Sequence, residues 1–143
     1  MSQEWTRLCA LLDDDPELAA AVRRAVESAD GVDPWLVVLD GLDDAGALAY
    51  LDGRDSGVEL ADALAELPRI FAAGVDLDPV GDVGGELPDA VAVANGILAA
   101  HGLTLVYLEE DSDAYPLVAV PAGDAEQIVA LASGLGHVAR THP

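Results

Sequence analysis

The sequence predicts an α+β (mixed α/β) fold, a small single-domain sandwich of helices on a short sheet, and three observations lead there. Segments with apolar residues at helical spacing alternate with apolar runs too short to be helices. Leu103–Leu108 and Tyr115–Val120 flank an acidic turn and read as a β-hairpin. Apolar residues make up 52% of the 143 positions, so a core is available and the abundant acids must coat it.

Taken in order, Glu4–Leu12 reads as the first helix. Asp15 as N-cap with Pro16 at the first helical position opens a second, running to about Ala29 with Leu18, Val22 and Val26 on one face. The same signal recurs at Asp33 and Pro34, opening a third helix through Trp35, Val38, Leu39 and Leu42 that Gly46 ends. Ala47–Asp52 is a short apolar strand. Ser56 with Glu59 three residues on is a capping box, so Gly57–Leu67 is a fourth helix, which Pro68 stops. Residues 74–86 carry four Gly, one Pro and three Asp and read as a long loop, of the kind that is functional or mobile in a compact domain. Pro88 restarts a helix with Val91, Ala94, Ile97 and Leu98, which Gly102 closes. After the hairpin, Gly123 and Asp124 open a last helix through Ile128, Val129 and Leu131 to Gly136, and His137–Thr141 offers a final strand.

Residues 1–143 are read as one domain. A weak internal repeat joins 47–67 to 103–136, because Leu48-Ala49-Tyr50-Leu51-Asp52 echoes Leu105-Val106-Tyr107-Leu108-Glu109.

The charge sorts the partners. There are 27 acidic residues, six Arg and no Lys, for a net charge of −21. A folded chain of this mass exposes about 6,900 Å², one net charge per roughly 330 Å² or about 18 Å apart. That exceeds the Debye length of about 8 Å at physiological salt. Average repulsion is therefore tolerable, and local clusters matter: Asp13–Asp15, Asp43–Asp44, Asp76, Asp78 and Asp82, and Glu109 to Asp113. Without Lys, a pyridoxal Schiff base, a phosphate-binding loop ending in Gly-Lys-Ser/Thr and the kinase ATP-site lysine are excluded. Six scattered Arg form no basic face for nucleic acid, and an anionic membrane is repelled. One cysteine, no long apolar run and no signal-peptide pattern lead to the expectation of a cytoplasmic protein.

Ile97 to Gly136, above all Gly102-Leu103-Thr104-Leu105-Val106-Tyr107-Leu108 with Asp111-Ser112-Asp113-Ala114-Tyr115, resembles a bacterial family of domains of unknown function. In that family a helix-strand unit carries a Gly-Ser-Asp-Ser/Ala-Tyr turn. Ala45–Leu67 is similar to its upstream strand-helix unit. Here Asp111 stands in place of the Gly, and Asp52-Gly53-Arg54-Asp55 in place of a Trp-Lys-Glu-Asp-like run. The resemblance implies a fold and no particular activity.

Candidate sites follow. Tyr107, Glu109, Glu110, Asp111, Asp113 and Tyr115 make an aromatic-acidic patch at the hairpin tip suited to a partner displaying Arg and Lys. The bland reading is a soluble turn with a cross-strand tyrosine pair. The alternative chemistry is a carboxylate-based, divalent-metal-dependent hydrolase using Asp76, Asp78, Asp82 and Glu86 together with that turn. Asp76, Asp78 and Asp82 with Gly81 partly match a calcium loop, but Val80 and Leu87 occupy two ligand positions. No serine-hydrolase elbow, zincin pair or cysteine pair is present. His101 beside Gly102 reads as a helix-terminal cation, Cys9 as a core residue, and Trp5 and Trp35 as partly buried anchors. The expectation is a protein without catalytic residues or cofactor that binds a basic protein, as acidic immunity and antitoxin proteins do.

Overall fold

The structure is a computed structural model in which residues 2–12, 16–27, 33–52, 55–84, 86–109 and 114–141 are described. Its element order is α1 (Ser2–Leu12), α2 (Pro16–Glu27), α3 (Pro34–Asp44), β1 (Ala49–Asp52), α4 (Gly57–Ala65), α5 (Pro68–Ala73), α6 (Asp78–Gly81), α7 (Leu87–Ala99), β2 (Leu103–Leu108), β3 (Ala114–Pro121), α8 (Ala125–Gly134) and β4 (Ala139–Thr141).

The four strands form one antiparallel sheet in the order β1-β3-β2-β4. It is buried on both faces. Val106, Leu108, Val118, Val120 and Ala139 point into one apolar cluster with α1, α2, α3 and α8. Ala49, Leu51, Leu105, Leu117 and Ala119 point into a second with α4, α5, α6 and α7. The predicted α+β fold is thus realised as three layers, with helices on both sides of the sheet. This explains why the hairpin strands are apolar nearly throughout instead of alternating with polar residues.

Local signals account for most boundaries. Asp33 caps α3 with its carboxylate on the Trp35 N–H at 3.0 Å. Ser56 and Glu59 form the capping box of α4, and their side chains bond each other directly. Gly46, Gly102 and Gly136 take left-handed φ values of 71°, 73° and 83°. In each case the glycine turns a helix (α3, α7 or α8) into a strand (β1, β2 or β4). The strands of the suggested repeat are therefore built alike. They do not pair with one another, because β3 lies between them.

Two readings require correction. Pro68 does stand beyond the end of α4, but it also occupies the first position of α5, where its missing N–H costs nothing. Residues 74–86 are not a structureless loop. Asp76 accepts the Asp78 N–H at 3.0 Å, Pro79 sits in the first turn of α6, and Val80 is fully buried. Gly57 makes this possible, since a Cβ there would collide with the Val80 carbonyl oxygen. The N-cap assigned to Asp15 lies outside the described residues.

The edge strands are short, and the sheet is four strands wide only near the hairpin tip. β1 pairs with β3 over 114–117 and β4 with β2 over 106–108. Pro116 explains part of this stagger: it has no N–H to donate, and the β2–β3 ladder stops at Leu117. Beyond the edge strands, side chains cover the open backbone. Arg69 Nη1 donates to the Ala119 carbonyl at 3.2 Å, and Asn95 Oδ1 accepts the Leu105 N–H at 2.9 Å. Open edges invite pairing with another chain, and each of these residues occupies one backbone group that such pairing would use. Arg69 also reaches the Leu11 carbonyl at 3.0 Å, tying α1 to α5 across the sheet.

Candidate functional site

The wide end of the sheet gathers the residues of interest on its two faces, and Glu109 joins them. Its N–H donates to the Val138 carbonyl at 2.9 Å, which ties the end of β2 to the start of β4. Its own carbonyl accepts the Trp35 indole N–H at 2.8 Å, and its carboxylate pairs with Arg140 at 3.2 Å.

On the face packed by α4 to α7 lie Tyr107 and Tyr115. Tyr107 sits directly opposite Leu117, so Tyr115 is a diagonal neighbour, not the facing one. Their rings nevertheless meet with centroids 4.6 Å apart, tilted by 47°. Arg140, opposite Tyr107 on β4, places its guanidinium 5.3 Å from the ring centre. Both rings are half-buried against the second cluster. Burial chiefly raises the Tyr115 phenol above the usual tyrosine range, and Tyr107 adds to this while Arg140 opposes it. The patch expected to be aromatic and acidic therefore also holds a cation. Glu110, Asp111 and Asp113 lie outside the described residues.

On the opposite face the structure assembles a cluster that no local pattern signals. His137, the residue after Gly136, stacks flat on Trp35 with centroids 4.7 Å apart and planes 3° apart. Trp5 approaches the same imidazole at 5.8 Å, tilted by 60°. The Asp33 carboxylate lies 3.7 Å from His137 Nε2. Both tryptophans are almost completely buried, so the sequence reading of them as partly buried anchors understates their burial. Above this floor opens a cleft of about 340 Å³ lined by Asp33, Trp35, Leu36, Glu109, Gly136, His137 and Val138. Leu36 is 50% exposed and Val138 46%, two of the few large apolar side chains left in water. Residues 5, 33, 35, 109 and 137 come from four separate elements or turns, so spacing along the chain could not have found them.

Two of the four carboxylates of the alternative metal site are engaged at helix starts. Asp76, just ahead of α6, accepts the N–H of its first residue Asp78, and Glu86 forms a reciprocal capping box with Asp89 at the start of α7, its own N–H donating to Asp89 at 3.2 Å. Asp78 and Asp82 are exposed. Among the described residues no three His, Cys, Asp or Glu side chains converge on a point where a metal ion would sit. His101 is exposed at the C-terminal end of α7. Cys9 is buried, and desolvation pushes its thiol up to about 12.

The pattern of the DUF6630 domain, described as a domain of unknown function, matches residues 4–142. The chain belongs to that family. As a DUF6630 protein it carries the family's domain over nearly its whole length, in keeping with the expected resemblance to a family of unknown function. No curated protein and no solved structure matches it. Among the described residues of this DUF6630 domain, no helix is long and apolar enough to cross a membrane.

Proposed function

We propose that this protein acts in the cytoplasm as a non-catalytic binding protein for a basic partner protein, engaging it through the wide end of the sheet. The observation that carries the reading is the charge: −21 with no lysine, on a chain whose exposed apolar residues include a pair, Leu36 and Val138, beside a carboxylate. Apolar contact surrounded by uncompensated negative charge is the composition that captures an Arg- and Lys-bearing surface. Summed negative potential steers such a partner and speeds encounter at low salt. Acidic immunity proteins and antitoxins use the same principle. The Tyr107–Tyr115 pair and Glu109 extend the surface around the hairpin tip.

The test is recovery of a partner from native lysate at low salt, its release at about 0.5 M salt where the Debye length falls to about 4 Å, and titration of the purified pair. The expected affinity falls steeply with ionic strength. A lysate that yields no salt-sensitive partner, or a purified pair whose affinity ignores salt, overturns the reading.

A further inference from the structure

We propose that the cleft between α3 and the Gly136–Val138 turn is the receptor for a single arginine side chain, so that the basic partner is read at this point by one inserted residue. The inference rests on the partner reading above and gives it a location.

Three features of the cleft select that occupant. Its volume, about 340 Å³, lies at the small end of the range for ligand pockets, about 300–1,000 Å³. It has room for one long side chain and not for a helix. Its walls carry Leu36 and Val138, each about half exposed, and apolar walls suit the methylene stem of a long side chain. Its polar end is Asp33. One oxygen of that carboxylate, Oδ1, accepts the Trp35 N–H at 3.0 Å and lies 3.7 Å from His137 Nε2. The other oxygen has no partner among the described residues, and the side chain is 46% exposed. The neighbouring Glu109 carboxylate is already paired with Arg140. Asp33 is thus held in place by its helix-capping bond, with its second oxygen unpartnered among the described residues. A guanidinium adds a charge-assisted bond to a carboxylate so fixed, and its flat face suits the His137 ring in the floor of the cleft.

Charge decides against the other occupants. Anionic ligands meet a protein of −21 and a carboxylate at the cleft's end. A second copy of the chain brings the same charge against it. An uncharged apolar group fills the walls but leaves Asp33 desolvated without a counter-charge.

The test uses the intact protein labelled with ¹⁵N and titrated at low salt with Nα-acetyl-arginine amide, followed by the Trp35 indole N–H signal and the backbone signals of Leu36, His137 and Val138. Saturable movement centred on these signals is expected. Nα-acetyl-norleucine amide, which keeps an apolar stem and lacks the charge, is expected to bind at least about tenfold more weakly, and Asp33→Asn to weaken arginine binding about tenfold. Asn caps a helix as well as Asp, so this variant keeps its fold, and an unchanged thermal melt checks that. Arginine shifts centred elsewhere, equal binding of the norleucine probe, full affinity in Asp33→Asn, or dimerisation that buries the cleft each overturn the proposal. The two readings fail separately. A salt-sensitive partner whose affinity Asp33→Asn leaves unchanged removes the arginine receptor and leaves the binding protein. Cleft binding without any such partner does the reverse.

Discussion

Replacing Trp35 with Phe tests the floor of the cleft directly. The indole N–H bonds the Glu109 carbonyl at 2.8 Å across 74 residues of sequence. Losing it leaves a part-buried acceptor unpaired, which costs about 1–2 kcal/mol. The benzene ring also fills less of a site that is 2% exposed. A loss of about 40 Å³ at about 24 cal/mol/Å³ adds about 1 kcal/mol. The sum is about 2–3 kcal/mol. For a domain of this size that lowers Tm by roughly 5–12 °C. Trp5 supplies the control, since it is equally enclosed but its indole makes no hydrogen bond to a described residue, and Trp5→Phe should lose only the volume contribution of about 1 kcal/mol. Urea unfolding followed by far-UV circular dichroism reads both variants without depending on the replaced fluorophore. If Trp35→Phe is no more destabilising than Trp5→Phe, the link from α3 to the end of β2 does not hold α3 in place, and the account of the cleft fails.

Three other outcomes are expected. The same chemical change should have opposite signs at two glycines: Gly57→Ala forces a Cβ into the Val80 carbonyl and should destabilise by about 1–3 kcal/mol, whereas Gly96→Ala, in open space within α7, should stabilise by about 0.5–1 kcal/mol, both read from urea midpoints. With its thiol pushed up to about 12, Cys9 should react with a disulfide reagent at pH 8 about 10³-fold more slowly than a free thiol on thiolate content alone, and at ordinary rates once urea unfolds the chain. Tyr115 should be among the last of the three tyrosines to ionise in an ultraviolet titration. Because its folded pKa is raised, its stabilising contribution is complete below the ordinary tyrosine value of about 10 and is lost as pH rises above it. Tyr115→Phe should flatten that alkaline loss.

Much of the framework was legible because its signals act within one turn of chain. Asp33 beside Pro34, Ser56 with Glu59, and the glycines at 46, 102 and 136 each settle a backbone conformation through bonds to residues at most five away. The hairpin strands were legible from apolar content and turn chemistry. The reading failed at Pro68 and at 74–86 for one shared reason. A proline is equally compatible with the end of one helix and the start of the next, and a Gly-Asp-Pro stretch becomes helical at Asp78–Gly81 only because Val80 finds a buried seat beside Gly57. That seat is made by α4, out of reach of any local pattern.

The tip residues divide along the same line. Tyr107, Tyr115 and Glu109 were singled out from the hairpin, but the diagonal placing of the two rings follows from the exact β2–β3 register, and the cation over Tyr107 and the bond from Trp35 depend on β4 and α3 docking against β2. The stacking of His137 on Trp35 and its tilted contact with Trp5 have no sequence signal, since the partners are brought together by packing of segments over 100 residues apart.

The amino-acid sequence alone settled the net charge and the places where most of the helices and strands begin. Net charge is a sum over residues, and capping chemistry is local, so neither needs a fold to be read. The order of the strands, the covering of the sheet on both faces and the cleft beside Asp33 came from side-chain packing between distant segments. Such packing depends on shape in three dimensions, which a linear pattern of apolar and acidic residues does not encode locally.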